Sequence, residues 1–394
     1  MTARSLQELP DVGPAVITLG VFDGVHIGHR RVARGTERAA RERGASSVAL
    51  VFSPHPDEVL RPGTHVERLL PPAETLVRLA SAGIDRALPV SFDDALRAME
   101  PDEFLAALAP SIDLRGITMT AGSAFGRARA GTPERVAQIG TERGFDVIVV
   151  EPVLVDGEPV SSTWIRRALA DGDVDLATRL LDAAPLLRGT VVAGDRRGRE
   201  LGFPTANLQF DYTPALPALG IYLGRVHVPE RDVGPGHPAL VSVGVRPTFH
   251  DDGLVLVEAF LLDWEGDLYG TTLDLELVAR LREERRFDTV DALIVQMQAD
   301  EVEARRRIAK GAVLDAWGQR ERQLSEVVES LGTLLTPEDR AEIQHFINVN
   351  EYGVAFDTLT GILHEGAIDL SDDVRRQIDA LAVYLNAEGH WPYD

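Results

Sequence analysis

The feature that most constrains the fold is a change of pattern near residue 185. Before it, short apolar runs alternate with stretches of helical or loop character. The runs are AVITLG at 15–20, SSVALVF at 46–52, LRGITMT at 114–120 and FDVIVV at 145–150. Such alternation is typical of parallel strands joined by crossover helices. We therefore predict a doubly wound α/β domain over residues 1–184.

Beyond residue 185 the pattern is that of an antiparallel barrel. Strand-like runs follow one another with Gly/Pro-rich turns between them, at 186–194, 220–228, 239–245, 254–262 and 272–279. The last run contains LDLEL, whose alternation has the period of a half-buried antiparallel strand. A long helix over 287–309, with Asp288 as its N-cap, is expected to follow. We predict a small β-barrel domain over residues 185–314.

The last fifth of the chain has a third character. Residues 315–394 carry 16 acidic and 5 basic side chains, about half of the net charge of −22. Apolar residues recur at helical spacing, which predicts a small bundle of amphipathic helices. They are Ile343, Phe346, Ile347, Tyr352, Ala355, Leu359, Ile362, Leu363, Val374, Ile378, Leu381 and Leu385. No residue there suggests catalysis.

Composition excludes several classes of protein. The absence of cysteine rules out structural disulfides, thiolate metal sites and a thiol nucleophile. The strongly negative net charge argues against a general nucleic-acid binder. No apolar run approaches 18 residues, and MTARSLQELPDVGP lacks the apolar region of a signal peptide. We therefore expect a cytoplasmic location, no nucleic-acid partner and no membrane association.

The stretch VFDGVHIGHRR at 21–31 predicts a phosphate site or a tight turn. It joins the first apolar run to a helical stretch, and the N-terminus of a helix presents free N–H groups to an anion. Gly24 and Gly28 allow the backbone to approach a ligand closely. His26 and His29 are able to add side-chain donors. Without further information, a turn with two capping or solvated histidines is equally compatible with the pattern.

A second group of motifs lies in the barrel segment. GRELGFPTAN at 198–207 combines loop-forming glycines with Thr205 and Asn207, whose oxygen atoms suit Mg²⁺ bound to ATP phosphates. VEAFLLD at 257–263 places Glu258 among apolar neighbours, where an unpaired carboxylate is costly. SVGVRPTF at 242–249 and LREERRF at 281–287 complete the group. The structural alternative for Glu258 is a barrel carboxylate paired with an arginine.

These motifs resemble the bacterial bifunctional riboflavin kinase/FMN adenylyltransferases, also called FAD synthetases, over roughly residues 14–310. The kinase pattern G-x-V-x-x-G…G-R-x-L-G-x-P-T-A-N is present as GTVVAGDRRGRELGFPTAN. The resemblance implies that Glu258 is the catalytic base and that Thr205 and Asn207 bind the ATP–metal unit. Phe260 stands where the family has a histidine. The implied ATP-binding residues are Gly198, Arg199, Gly202, Pro204, Thr205 and Asn207. The implied flavin-binding residues are Arg246, Arg282, Glu284 and Phe287.

The N-terminal half resembles the nucleotidyltransferase domain of the same family, a Rossmann-like fold. GVFDGVHIGH matches its phosphate-binding signature, and VFSPHP at 51–56 and SSTWIRRAL at 161–169 match two further motifs. The implied nucleotide-binding residues are Phe22, Asp23, Gly24, His26, Gly28, His29, Ser162, Thr163 and Arg166. One segment departs from the family: TAGSAFG has Gly122 and Ser123 where an Asp or Asn and a Phe are usual.

The resemblance implies ATP- and Mg²⁺-dependent phosphorylation of riboflavin to FMN, followed by adenylylation of FMN to FAD. Two alternatives stay open. In the first, the chain is a riboflavin kinase with a degenerate adenylyltransferase domain. In the second, it is an immunity or protein-binding protein fused to a flavin-enzyme body. The second alternative depends on residues 315–394, where helix-face positions and NEYG resemble small immunity proteins of the MafI type. That segment is then a site for a protein partner or for self-association; a helical extension that only packs on the kinase or on a sister subunit is equally compatible with the pattern.

Overall fold

The computed structural model describes residues 3–194, 203–228, 236–245, 255–309, 324–348 and 352–366, together with 370–371, 374–375 and 377–378. Backbone contacts divide the chain into two compact units, residues 1–284 and 285–394. The first unit contains a parallel sheet and a barrel, and the second is helical in the residues described. The boundaries at 184 and 314 stay predictions.

The N-terminal part of the first unit is a five-stranded parallel sheet in the order β3-β2-β1-β4-β5. Its elements are β1 (Gly13–Gly20), α1 (Ile27–Glu42), β2 (Ser46–Ser53), α2 (Pro56–Leu60), α3 (Pro72–Ser81), β3 (Arg86–Ser91), α4 (Asp94–Ala98), α5 (Pro101–Leu108), β4 (Ile112–Thr120), α6 (Pro133–Arg143), β5 (Asp146–Val150), the short pair β6 (Leu154–Val155) and β7 (Glu158–Pro159), α7 (Ser162–Ala170) and α8 (Val174–Leu181). The predicted doubly wound domain is confirmed.

Both faces of this sheet are covered, which explains the continuous apolar runs. In β2, Val48 and Leu50 belong to one buried cluster, whereas Ala49 and Val51 belong to another. The strand order reverses between β1 and β4, so a crevice opens outside the carboxyl ends of these two strands. The loop that follows β1 therefore lies at the usual ligand position of such a sheet.

The C-terminal part of the first unit is a closed six-stranded antiparallel barrel. Its strands are β8 (Leu186–Val192), β9 (Ala206–Gln209), β10 (Gly220–His227), β11 (His237–Val245), β12 (Val255–Leu261) and β13 (Thr272–Glu283), in the order β10-β11-β12-β9-β8-β13. Along β12 the side chains of Val257, Ala259 and Leu261 are buried in the barrel core, whereas Glu258 and Phe260 between them are half-buried. The barrel is confirmed, with β9 as a strand that the sequence analysis treats as a loop.

The second unit contains α9 (Val290–Ala309), a helical stretch at 324–330, α10 (Pro337–Asn348) and α11 (Tyr352–Glu365). The predicted helix over 287–309 is confirmed, but its N-cap is Thr289 rather than Asp288, because the Thr289 hydroxyl accepts a hydrogen bond from the Ala292 N–H at 3.1 Å. The predicted apolar faces are buried at Ile343, Ile347, Ala355, Leu359, Leu363 and Ile378.

Candidate functional site

The loop between β1 and α1 forms the centre of the first candidate site. Gly24 has φ +89°, and a Cβ added to it would lie 2.9 Å from a methyl carbon of Leu69, so no other residue fits there without a shift. His26 is the N-cap of α1: its Nδ1 accepts a hydrogen bond from the His29 N–H at 3.3 Å. Since Nδ1 is the acceptor, the proton of a neutral His26 ring is on Nε2.

The two histidines are stacked and neutral. Their ring centroids are 3.6 Å apart with an angle of 18° between the planes, and the edge of Phe22 packs on His29. Burial lowers the pKa of His29 to about 3, and burial together with the neighbouring His29 ring lowers the pKa of His26 well below its usual value. His29 Nδ1 has no hydrogen-bond partner among the described residues. The pair therefore offers polar ring nitrogens, rather than positive charges, at the start of α1.

Asp23 connects this loop to α7. Its carboxylate is 4% exposed and accepts hydrogen bonds from the Leu69 N–H and from Arg166, whose Nη2 lies 2.5 Å from Oδ2. The Asp23 carbonyl accepts a hydrogen bond from the Ser162 hydroxyl at 2.8 Å. Burial raises the pKa of Asp23, although Arg166 and Arg68 oppose that effect. Asp23 thus joins the loop to Ser162 and Arg166.

The structure places the predicted nucleotide-binding residues on two elements that meet at one edge of the sheet. Phe22 to His29 form the loop and the first turn of α1, and Ser162, Thr163 and Arg166 lie in α7, which begins at its N-cap Ser161. Gly28 packs against the His26 ring: a Cβ added there would lie 3.2 Å from it. Thr163 is exposed.

Sequence reasoning missed Arg68. This residue helps to line a cleft of about 310 Å³, open solvent included, together with Val21, Asp23, Val51, Phe52, Ser53, Leu70, Pro72 and Thr75. Arg68 follows α2 in a stretch without a motif. The only sequence feature that could have indicated it is an isolated arginine between the loop prolines Pro62 and Pro71. His55, which lies within the VFSPHP motif, is the N-cap of α2 and accepts a hydrogen bond from the Asp57 N–H.

The unusual TAGSAFG segment follows β4, the strand next to β1. Ser123 donates its hydroxyl to the Thr120 carbonyl at 2.7 Å, and Phe125 is buried against Phe104. Gly122 has φ +81° with open space where a Cβ would be. A glycine without a side chain therefore stands at the place of the usual Asp or Asn, and Ser123, whose hydroxyl is bonded to its own strand, stands at the place of the usual Phe.

The second candidate site lies on the outer face of the barrel. Glu258 of β12 is directly opposite Asn207 of β9 and Ser242 of β11. Directly opposite residues in an antiparallel pair have Cβ atoms about 4.5–5.5 Å apart and share one face. The predicted base and the predicted metal ligand are therefore neighbours, although 51 positions separate residues 207 and 258 in the chain.

The Asn207 side chain lies directly against the backbone of Gly194. A Cβ added to Gly194 would lie 2.5 Å from Asn207 Nδ2 and 2.8 Å from Oδ1, so only glycine leaves room for this side chain. Phe203 is buried and packs edge-on against Phe260, with ring centroids 5.2 Å apart. Pro204 is exposed, and Thr205 is half-buried just before β9.

The predicted flavin residues are only partly described. Glu284 lies over β11: a Cβ added to Gly244 would be 2.6 Å from its Oε1. Arg282 is half-buried and donates to the Glu283 carbonyl at 2.8 Å. Phe287 is half-buried and belongs to the second unit. Gly198, Arg199, Gly202 and Arg246 lie outside the described residues.

The outer face of the barrel suits a magnesium ion bound to ATP phosphates. Asn207 Oδ1 and the Thr205 hydroxyl are hard oxygen donors, and Glu258 adds a carboxylate on the same face. Magnesium usually takes one or two protein ligands, with water and substrate phosphates completing the octahedron. The described part of the chain contains no cluster of three or more His, Asp or Glu that could hold a metal ion.

No helix among the residues described is both long and apolar enough to cross a membrane.

Comparisons with known proteins match both the parallel-sheet part and the barrel part of the chain. A family model described as FAD synthetase matches residues 9–164, and one described as riboflavin kinase matches residues 181–308. The bifunctional riboflavin kinase/FMN adenylyltransferase of Pseudomonas fluorescens is 36% identical over 78% of this chain and 98% of its own. The protein of the same name from Escherichia coli is 34% identical over 77% and 95%.

A solved structure gives the same picture of the fold. A Streptococcus pneumoniae protein described as a macrolide-efflux protein superimposes with a TM-score of 0.69 at 32% identity, over 76% of this chain and 97% of its own. Because relatives of 34–36% identity are matched over nearly their full length, the chain belongs to the family of bifunctional riboflavin kinase/FMN adenylyltransferases.

Proposed function

We propose that each domain of this bifunctional enzyme carries one activity: the barrel phosphorylates riboflavin to FMN, and the parallel-sheet domain adenylylates FMN to FAD. The observation that carries the kinase assignment is the direct pairing of Glu258 with Asn207. The adenylyltransferase assignment depends on the stacked histidines at the N-terminus of α1, beside the Asp23–Arg166 pair.

In the kinase reaction, Glu258 acts as the general base. The primary ribityl hydroxyl of riboflavin forms a bond to the γ-phosphorus of ATP, the bond to the β–γ bridging oxygen breaks, and ADP leaves. Glu258 accepts the hydroxyl proton, a role worth about 10²–10⁴-fold in rate. Asn207 and Thr205 hold the ATP–magnesium unit, and magnesium, when bound, neutralises charge on the phosphates. Arg282, Glu284, Phe287 and Arg246 are proposed to contact the flavin.

In the adenylyltransferase reaction, the site binds and orients the phosphate of FMN and the triphosphate of ATP. A phosphate oxygen of FMN forms a bond to the α-phosphorus of ATP, the α–β bridging bond breaks, and pyrophosphate leaves. The remaining free N–H groups at the start of α1, the Nε2–H of His26 and the ring of His29 face the phosphates, and Arg166 supplies the positive charge. Ser162 and Thr163 add hydroxyl groups at the start of α7.

One observation favours the alternative of a kinase alone. Gly122 stands where an Asp or Asn is expected after β4, and Ser123, which stands where a Phe is expected, already donates its hydroxyl to the Thr120 carbonyl. A polar contact to the adenylyl site is then reduced. Against this, the loop, Asp23 and Arg166 are intact, so we favour the bifunctional enzyme.

The test is product analysis with riboflavin, ATP and Mg²⁺, followed by chromatography for FMN and FAD. The wild type is expected to form both. Glu258→Gln should stop FMN formation while FAD still forms from supplied FMN, and His29→Ala should do the reverse. Glu151→Gln and His65→Ala, at two exposed positions, are the matched controls. Accumulation of FMN without FAD by the wild type would establish the kinase-only alternative.

The acidic segment 315–394 has a separate proposed role. Its net charge of −11 and its helices suit a protein partner or self-association, as an addition to a cytoplasmic enzyme. A pull-down with the full chain, and with the chain ended at residue 314, tests whether capture of any partner or copy requires this segment.

A further inference from the structure

A short backbone segment between α2 and α3 contacts both domains of the first unit. We call Glu67–Leu69 the strap. On one side it contacts the adenylyl site: the Leu69 N–H donates to the Asp23 carboxylate at 3.0 and 3.2 Å, and the Glu67 carbonyl accepts from Arg166 Nε at 2.6 Å. The strap therefore supplies a partner to each member of the Asp23–Arg166 pair.

On its other side the strap is paired with the barrel domain. The Arg68 N–H donates to the Thr213 carbonyl at 2.7 Å, and the Ala215 N–H donates to the Arg68 carbonyl at 2.8 Å. Together they form a short parallel bridge opposite Pro214. We call 213–215 the barrel segment; it lies in the connection between β9 and β10. Both backbone groups of the central strap residue are thus satisfied by the other domain.

The side chains around the strap fix it to α2. Arg68 Nη2 lies 3.4 Å from Glu58 Oε2, and Glu58 also accepts hydrogen bonds from the Val66 and His55 N–H groups. These contacts hold the start of the strap, whereas Leu69 and Glu67 face the adenylyl site.

We propose that the barrel segment is a positioning element of the adenylyltransferase site. By pairing with Arg68 it holds the strap at the position where the Glu67 carbonyl and the Leu69 N–H orient Arg166 and Asp23. The inference rests on the proposed adenylyltransferase function, and it makes the kinase domain a structural part of the other active site. A misplacement of about 1 Å in a catalytic group costs on the order of 10²-fold in rate.

The test variant is Ala215→Pro in the full chain, which removes the N–H that donates to Arg68. FAD formation from supplied FMN and ATP is expected to fall about 10-fold to 100-fold in kcat/KM. FMN formation from riboflavin should stay within about twofold of the wild-type rate, because Ala215 lies outside the barrel face that carries Glu258 and Asn207. Ala218→Pro is the matched control. It removes the hydrogen bond of 2.9 Å that the Ala218 N–H donates to the Leu169 carbonyl at the end of α7, and this bond does not involve the strap.

A pH profile separates positioning from general damage. Asp23 faces Arg166 of α7, Arg68 of the strap and His55 of α2, and the Leu69 N–H helps to counter the effect of burial on its pKa. Loss of the strap contact raises the pKa of Asp23 further. The acid limb of kcat/KM for FAD formation should therefore move to higher pH in Ala215→Pro and stay in place in Ala218→Pro.

Three results would overturn the proposal. One is an unchanged rate of FAD formation in Ala215→Pro, and another is an equal loss in the Ala218→Pro control. If Ala215→Pro loses both activities, the test is repeated with an ester in place of the amide at 215, which removes the N–H without adding volume. Full FAD formation by that ester variant is the third result that would overturn the proposal. Absence of FAD from wild-type reactions would instead reject the adenylyltransferase assignment itself, together with this inference.

Discussion

Gly194→Ala is expected to impair the kinase through a single clash. The new Cβ would lie 2.5 Å from Asn207 Nδ2, against about 3.4 Å for an ordinary contact, so the Asn207 side chain must retreat by about 0.9 Å. Gly194 does not have the left-handed φ that would strain an alanine. A displacement of about 1 Å in a positioning group costs on the order of 100-fold in rate, or about 2.7 kcal/mol in activation free energy.

The assay is FMN formation from riboflavin and ATP, measured by chromatography. FAD formation from supplied FMN serves as the internal control, because Gly194 belongs to the barrel. A double-mutant cycle isolates the clash: in an Asn207→Ala background the partner of the clash is absent, so Gly194→Ala should cost less than about threefold there.

Three outcomes would count against this reasoning. Kinase activity within threefold of wild type in Gly194→Ala would mean that Asn207 does not need its present position. Full additivity of the two substitutions would mean that Gly194→Ala acts by another route. A large fall in melting temperature would also count against a local effect, since the affected contact is with the end of one side chain.

Three further predictions concern other parts of the chain. Burial raises the pKa of Glu276, but hydrogen bonds from His227 and Arg225 outweigh that effect and lower the pKa to about 2. The ionised Glu276 carboxylate therefore stabilises the fold by about 3 kcal/mol above roughly pH 4.3, the pKa of glutamate in an unfolded chain. This stabilisation is lost as the pH falls toward about 2. Denaturant unfolding of Glu276→Gln against wild type should show that difference at pH 7 and a smaller one at pH 3; equal stability at pH 7 would contradict it. His26→Ala removes the N-cap of α1 and should lower stability by about 1 kcal/mol, as well as slowing FAD formation, whereas His26→Asn should restore the stability alone. Ending the chain at residue 314 should leave FMN turnover within about twofold, and an insoluble or inactive product would show that residues 315–394 pack on the enzyme.

The sequence predicted the elements with strong apolar patterns. β3, with the sequence RALPVS, was missed because it contains a proline and is an edge strand, whose outer side pairs with the backbone of Arg4. β9 was missed because its four residues lie inside a motif that is typical of a loop.

Within the sites, residue types were predictable and their relations were not. The motifs gave Glu258 and Asn207 separately, but their direct pairing depends on the barrel register, which no local pattern specifies. The histidines were expected to add side-chain donors, and the low pKa values that burial gives them leave those donors without a positive charge. The strap acts through backbone N–H and carbonyl groups, which every residue except proline has, so it leaves no trace in the sequence.

The pairing of Glu258 with Asn207 limits how this barrel can change during evolution. The two groups are carried by adjacent strands of a closed barrel, so their spacing is fixed by backbone hydrogen bonding rather than by the loops. Loops on either side can lengthen without moving Glu258 and Asn207, the proposed base and the proposed metal ligand, apart. One residue inserted within β9 before Asn207 would turn the amide into the barrel core and leave Glu258 outside, since successive side chains alternate between the faces. Insertions should therefore be tolerated between the strands and eliminated within these two.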